Sequence, residues 1–69
     1  MASLRKLGEK IRKLRKDKDL TQEKLAELAD VDPKTIIEIE HAKRKNPTLK
    51  TLNKIAKVFG NTSSDLLSS

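Results

Sequence analysis

The stretch TQEKLAELADVDPKTIIEIE, residues 21–40, decides how the rest of the chain is read. Thr21 can cap a helix in which Leu25, Ala26, Leu28 and Ala29 fall on one face at helical spacing. A three-residue break follows, Ala29-Asp30-Val31. Asp32 then offers a second cap, and Pro33 sits at the first helical position, where its missing N–H costs nothing. This second helix buries Ile36 and Ile39 and runs to about His41-Ala42.

Two helices joined by so short a break cannot lie antiparallel, so they cross steeply. That is helix-turn-helix geometry, which sends its second helix outward as a reading element for the major groove. The crossing calls for a small residue at the contact, an unusual backbone at the turn and apolar residues locking the pair. Counted from Gln22, Ala26 is fifth, Asp30 ninth, Val31 tenth, Ile36 fifteenth and Ile39 eighteenth. Four of these five positions carry the residue type that such packing requires; Asp30 stands where a glycine would be easiest.

Outward from this core, three more segments show helical periodicity and none shows strand alternation. After Ser3, a candidate N-cap, Leu4, Leu7, Ile11 and Leu14 form an apolar stripe that stops at Lys18-Asp19. A basic loop, Lys43–Pro47, follows the central pair. Thr48 caps a fourth helix with Leu49, Leu52, Ile55, Ala56 and Phe59 inward, closed by Gly60 in the left-handed region. Thr62-Ser63-Ser64-Asp65 has capping-box spacing, with Asp in place of the usual Glu, and starts a short turn through Leu66 and Leu67. These two leucines serve either as a lid on the core or as contacts to a second copy.

Composition narrows the function. Sixty-nine residues make one domain, 1–69, and no cysteine is present for a disulfide or a thiolate metal site. No apolar run exceeds two residues, and the basic amino terminus lacks an apolar signal-peptide core. A cytoplasmic protein is the expectation. The net charge of +6 divides into +5 over residues 1–20, −4 over 21–40 and +5 over 41–69. Two basic flanks around an acidic centre suit a polyanion partner. His41 is the one histidine, placed at a helix end where it serves the dipole or a phosphate. Without a nucleophile, a glycine-rich phosphate loop or a ligand cluster, neither an enzyme nor a metal or cofactor is expected.

The segments LGEKIRKLRKDKDLTQEKLAELADVDPKTIIEIE and NPTLKTLNKIAKVFGNTSSDLL together resemble the Cro/C1-type helix-turn-helix family, over about residues 4–67. The resemblance implies a compact five-helix, lambda-repressor-like all-α fold. It also implies a sequence-specific DNA-binding transcriptional regulator of the repressor or controller type, acting on double-stranded DNA as a homodimer. By it, Gln22 contacts phosphate and an adjacent base. Pro33, Lys34, Thr35 and Glu38 face the groove from a recognition helix at about 32–41. Lys43, Arg44 and Lys45 touch the sugar-phosphate backbone, and Arg15 pairs with Glu40. Three positions that carry glycine in the family hold Asp19, Asp30 and Ala42. Asp tolerates left-handed backbone, whereas Ala42 fits it poorly, so the third helix is expected to end in another way.

The reading face is thin in donors. Direct readout favours Arg on guanine and Asn or Gln on adenine, and Pro33, Lys34, Thr35 and Glu38 include none of these. Ile37, beside the buried stripe, has three readings: a contact for thymine methyls, a peripheral packing residue, or part of a protein-contact patch. The competing functions are accordingly a protein-interaction module of antitoxin or coactivator type, and a redesigned scaffold of this fold with weakened DNA binding.

Overall fold

A computed structural model describes residues 3–42 and 47–67. Five helices follow one another: α1 (Leu4–Asp17), α2 (Gln22–Ala29), α3 (Pro33–His41), α4 (Leu49–Val58) and α5 (Ser63–Leu67). The all-α, five-helix architecture read from the sequence is the one found, with no strand among the described residues. The break between α2 and α3 lies one residue later than expected: Ala29 still belongs to α2, and Asp30 to Asp32 make the turn.

Each helix starts where a short polar side chain can take up a free amide. The hydroxyl oxygens of Ser3, Thr21 and Thr48 accept from the amides of Lys6, Lys24 and Thr51 at 3.0–3.1 Å. The Asp32 carboxylate accepts from Lys34 N at 2.8 Å. The capping box at α5 is reciprocal, with Asp65 N donating to Thr62 Oγ1 (3.1 Å) and Thr62 N donating to Asp65 Oδ2 (2.9 Å). These bonds satisfy amides that the helices themselves cannot. Donation from the Thr62 amide, with a smaller contribution from the Thr62 side chain, holds the Asp65 carboxyl below its ordinary value.

The same stop is used three times. Leu20 N, Val31 N and Asn61 N reach back to the carbonyls of Arg15, Ala26 and Ala56. In each case the residue just before the donor is left-handed: Asp19 (φ 56°), Asp30 (φ 57°) and Gly60 (φ 70°). This is the Schellman arrangement. Ala42 departs from expectation, because it too is left-handed, at φ 52° and ψ 37°. The α3 end is thus built as if a glycine were there, and Ala42 carries the Cβ strain of that conformation.

The helices pack in a ring: α3 lies against α1 and α2, α4 against α2 and α5, and α5 returns to α1. Leu7, Ile11, Leu25, Ala26, Ala29, Ile36, Ile39, Leu52, Ile55, Ala56 and Leu66 form one aliphatic core, with Phe59 packed at its edge. Leu66 is fully buried, the position of a core lid, while Leu67 is exposed. Two residues expected inward are not. Leu28 is 52 % exposed and Leu49 63 %. Leu28 sits to one side of the arc formed by Leu25, Ala26 and Ala29. Leu49 opens α4, and a side chain there leans past the helix end because Cβ vectors tilt toward the N-terminus.

Gly8 is fully enclosed, and a Cβ on it would overlap the Ile39 carbonyl oxygen and stand 3.0 Å from that of Glu40. The absence of a side chain therefore lets α1 run against the backbone at the end of α3. That contact sets how far α3 stands out from the bundle.

Candidate nucleic-acid interface

Three elements hold α3. Its inner side buries Ile36 and Ile39 against α1 and α2, Gly8 lets α1 close on its last turn, and Lys54 of α4 steadies the turn before it. The Lys54 ammonium donates to the Asp30 carbonyl at 3.3 Å and lies 3.9 Å from its carboxylate.

With about 100° per residue, burial of Ile36 and Ile39 turns Lys34, Ile37, Glu38 and His41 away from the core. Lys34, Ile37 and His41 are exposed and Glu38 is partly buried. Pro33 is exposed at the N-terminal end, one turn before Ile37, and Thr35 is partly buried with its amide on the Asp32 carbonyl (2.9 Å). Ile37 is 40 % exposed, so it is not a core residue, and apart from Pro33 its neighbours on this face, Lys34, Glu38 and His41, are polar. Lys43, Arg44 and Lys45 lie outside the described residues.

Arg15, Glu40 and Gln22 join three helices at one point. The Arg15 guanidinium grips the Glu40 carboxylate with Nε (2.7 Å to Oε2) and Nη2 (3.0 Å to Oε1). Its Nη1 donates to the Leu20 carbonyl at 2.7 Å, tying in the connection before α2. Gln22 Nε2 donates to Glu40 Oε1 at 3.1 Å. The side chains of Arg15 and Glu40 are 10 % and 2 % exposed, and the bonds to Glu40 push the guanidinium further up from its already high ordinary value. The link from Gln22 to Glu40 was not visible in the sequence, where the two stand 18 residues apart.

The acidic centre is largely spent within the fold. Of its six acids, Glu40 is held by Arg15, Glu27 by Lys24 (3.3 Å), Asp30 by Lys54, and Asp32 caps α3. The exposed Lys24–Glu27 and Lys54–Asp30 pairs add little stability, but with the buried Arg15–Glu40 pair they dampen the negative field beside α3. The first amides of α2 and α4 have no intrahelical partner and sit at the positive ends of their helix dipoles, an arrangement suited to oxyanions.

Comparison with known proteins agrees with this geometry. A family model described as Helix-turn-helix matches residues 11–67. The control protein C.MunI of a Mycoplasma species is 44 % identical over 64 residues, covering 91 % of this chain and 85 % of that protein. The restriction-modification controller protein C.AhdI of Aeromonas hydrophila superposes with a TM-score of 0.83 at 33 % identity, over 91 % of this chain and 94 % of its own. The N-terminal DNA-binding domain of SinR from Bacillus subtilis gives a TM-score of 0.86 at 30 % identity, over 91 % of each chain. SinR in complex with DNA gives 0.84 at 31 %, over 90 % and 98 %. The packed α2–α3 pair with its three-residue turn, its buried lock and these likenesses lead to one assignment: the chain belongs to the Cro/C1-type helix-turn-helix family.

Proposed function

We propose that this protein is a sequence-specific, DNA-binding transcriptional regulator of the controller or repressor type. It acts on double-stranded DNA in the cytoplasm, as a homodimer on a two-fold symmetric site. The observation that carries this reading is the presentation of α3: its inner side is locked by Ile36 and Ile39, while Lys34, Ile37 and His41 stand clear of the core. Such a helix fits a B-DNA major groove. The family and the names of the two controller relatives point the same way.

In this reading the work is divided. The amide ends of α2 and α4 and the basic run Lys43–Lys45 hold phosphates and set register. Pro33, Lys34, Thr35 and Glu38 meet the base edges. Ile37, with Pro33 one turn before it, supplies an apolar contact suited to thymine methyl groups. Arg15 and Glu40 hold the frame and do not touch DNA.

Fluorescence anisotropy with labelled duplexes across a salt series tests the proposal. The expected log affinity falls linearly with log salt, by about 0.9 for each phosphate neutralised. One operator should outlast unrelated duplexes as salt rises. Equal affinity for all duplexes, or none at low salt, would overturn the assignment.

A further inference from the structure

We infer that Ile37 and Glu38 make DNA binding responsive to cytosine methylation: the pair matches 5-methylcytosine in the major groove, and a methylated site is held more tightly than an unmethylated one. This rests on the DNA-binding reading above and adds to it a sensitivity to covalent modification of the site.

The two side chains are consecutive on the part of α3 that turns from the core. Ile37 is exposed and Glu38 partly buried. They stand about 100° apart around the helix axis and about 1.5 Å apart along it. Successive bases of one strand are about 3.4 Å apart, so a helix lying along the groove brings both residues to one base step. Ile37 is branched at Cβ and stiff in a helix, and the exposed Pro33 ring lies one turn before it. An apolar wall is therefore in place before DNA arrives. Beside it the Glu38 carboxylate only accepts. One side of the site calls for a methyl group, and the adjoining side for an N–H donor.

None of the four unmodified bases meets both demands. Cytosine gives its N4 amino group to the carboxylate but sets a bare C5–H against Ile37. Thymine gives Ile37 its methyl but turns the O4 acceptor toward the carboxylate, and two acceptors repel. Adenine has an amino donor and no methyl, and guanine presents only acceptors in this groove. 5-Methylcytosine carries the amino donor and the C5 methyl side by side. Its methyl occupies the same place in the groove as that of thymine, so Glu38 decides between the two bases. Covering one methyl-sized group corresponds to roughly a 4-fold gain in affinity per half-site.

The test changes the DNA first and leaves the protein intact. In the duplex selected by the wild type, each cytosine is replaced in turn by 5-methylcytosine and each thymine by deoxyuridine, which lacks the methyl. Fluorescence anisotropy should show a gain of roughly 4-fold at one cytosine per half-site. Thymine at that position should cost roughly 5- to 150-fold. Ile37→Ala, at an exposed position, should abolish the methylation gain and keep the preference for cytosine over thymine. Glu38→Gln, whose amide can also donate, should lose that preference. No gain at any cytosine, or a selected motif without cytosine, would overturn the inference while DNA binding itself stands. So would a methylation gain that survives Ile37→Ala, or a deoxyuridine penalty that disappears in Ile37→Ala, which would give Ile37 to a thymine. Failure to select any duplex would instead remove the functional assignment beneath it.

Discussion

Arg15 holds both oxygens of Glu40 across 25 residues of sequence, at 2.7 and 3.0 Å, in a site that is nearly closed to water. Breaking such a pair from one side strands the other charge. Glu40→Ala should cost about 3–5 kcal/mol, visible as a large drop in the urea midpoint followed by circular dichroism. The double replacement Arg15→Met with Glu40→Leu should recover most of that loss, because a well-packed apolar pair has no charge to desolvate. A single replacement no worse than the double would show that the pair is not buried as described.

Gly8 makes a second prediction. Gly8→Ala gains helix propensity of about 1 kcal/mol, yet its Cβ meets the backbone of Ile39 and Glu40. Backbone cannot step aside as a flexible side chain can, so α1 must move off the end of α3. Overpacking of this kind costs about 1–3 kcal/mol and should outweigh the propensity gain. Chemical denaturation should therefore show net destabilisation, and crosspeaks of α3 should shift in an amide NMR spectrum. A more stable Gly8→Ala protein would contradict the close approach.

Ala42 should behave in the opposite sense. It holds a left-handed backbone, φ 52° and ψ 37°, which a Cβ disfavours. Ala42→Gly should raise stability by about 0.5–1 kcal/mol, a gain of roughly 2–8 °C in Tm. Lys13→Gly, at an exposed position inside α1, should lose about 1 kcal/mol. Thermal melts of the two variants side by side give the comparison.

Acid should loosen α5 before the rest. The Asp65 carboxyl is held low by its bonds from Thr62. A carboxylate whose native value lies below its unfolded one contributes stability above the unfolded value, near pH 4. That contribution is lost as pH falls through the lowered native value. Below pH 4, the Thr62 and Asp65 amide resonances should move together as the cap opens. In Asp65→Ala the α5 signals should be weakened already at neutral pH, with no further acid transition at this site.

How much of this was legible in the sequence depends on range. The caps at Ser3, Thr21, Asp32, Thr48 and Thr62 were readable because each acts on an amide two or three residues away. Most of the core followed from helical period alone. Leu28 and Leu49 are exposed although they fall at apolar spacing, because period says which face is apolar and only tertiary packing decides how much of it is covered. Ala42 is left-handed because the surrounding fold imposes a conformation that local preference disfavours. Gly8 lies against α3 more than 30 residues later, and Gln22 meets Glu40 across a crossing of two helices. No local pattern reports either contact.

In the proposed function the outward face of α3 selects DNA sequence. Repeated selection of bound sites from a random duplex pool, with the wild type and Lys34→Ala and Thr35→Ala in parallel, checks this. The wild type should enrich one two-fold symmetric motif, with half-sites about 34 Å apart. Each variant should keep its helicity while relaxing particular base positions within that motif. A pool that returns no motif with the wild type, or the same motif undiminished with both variants, would contradict the claim.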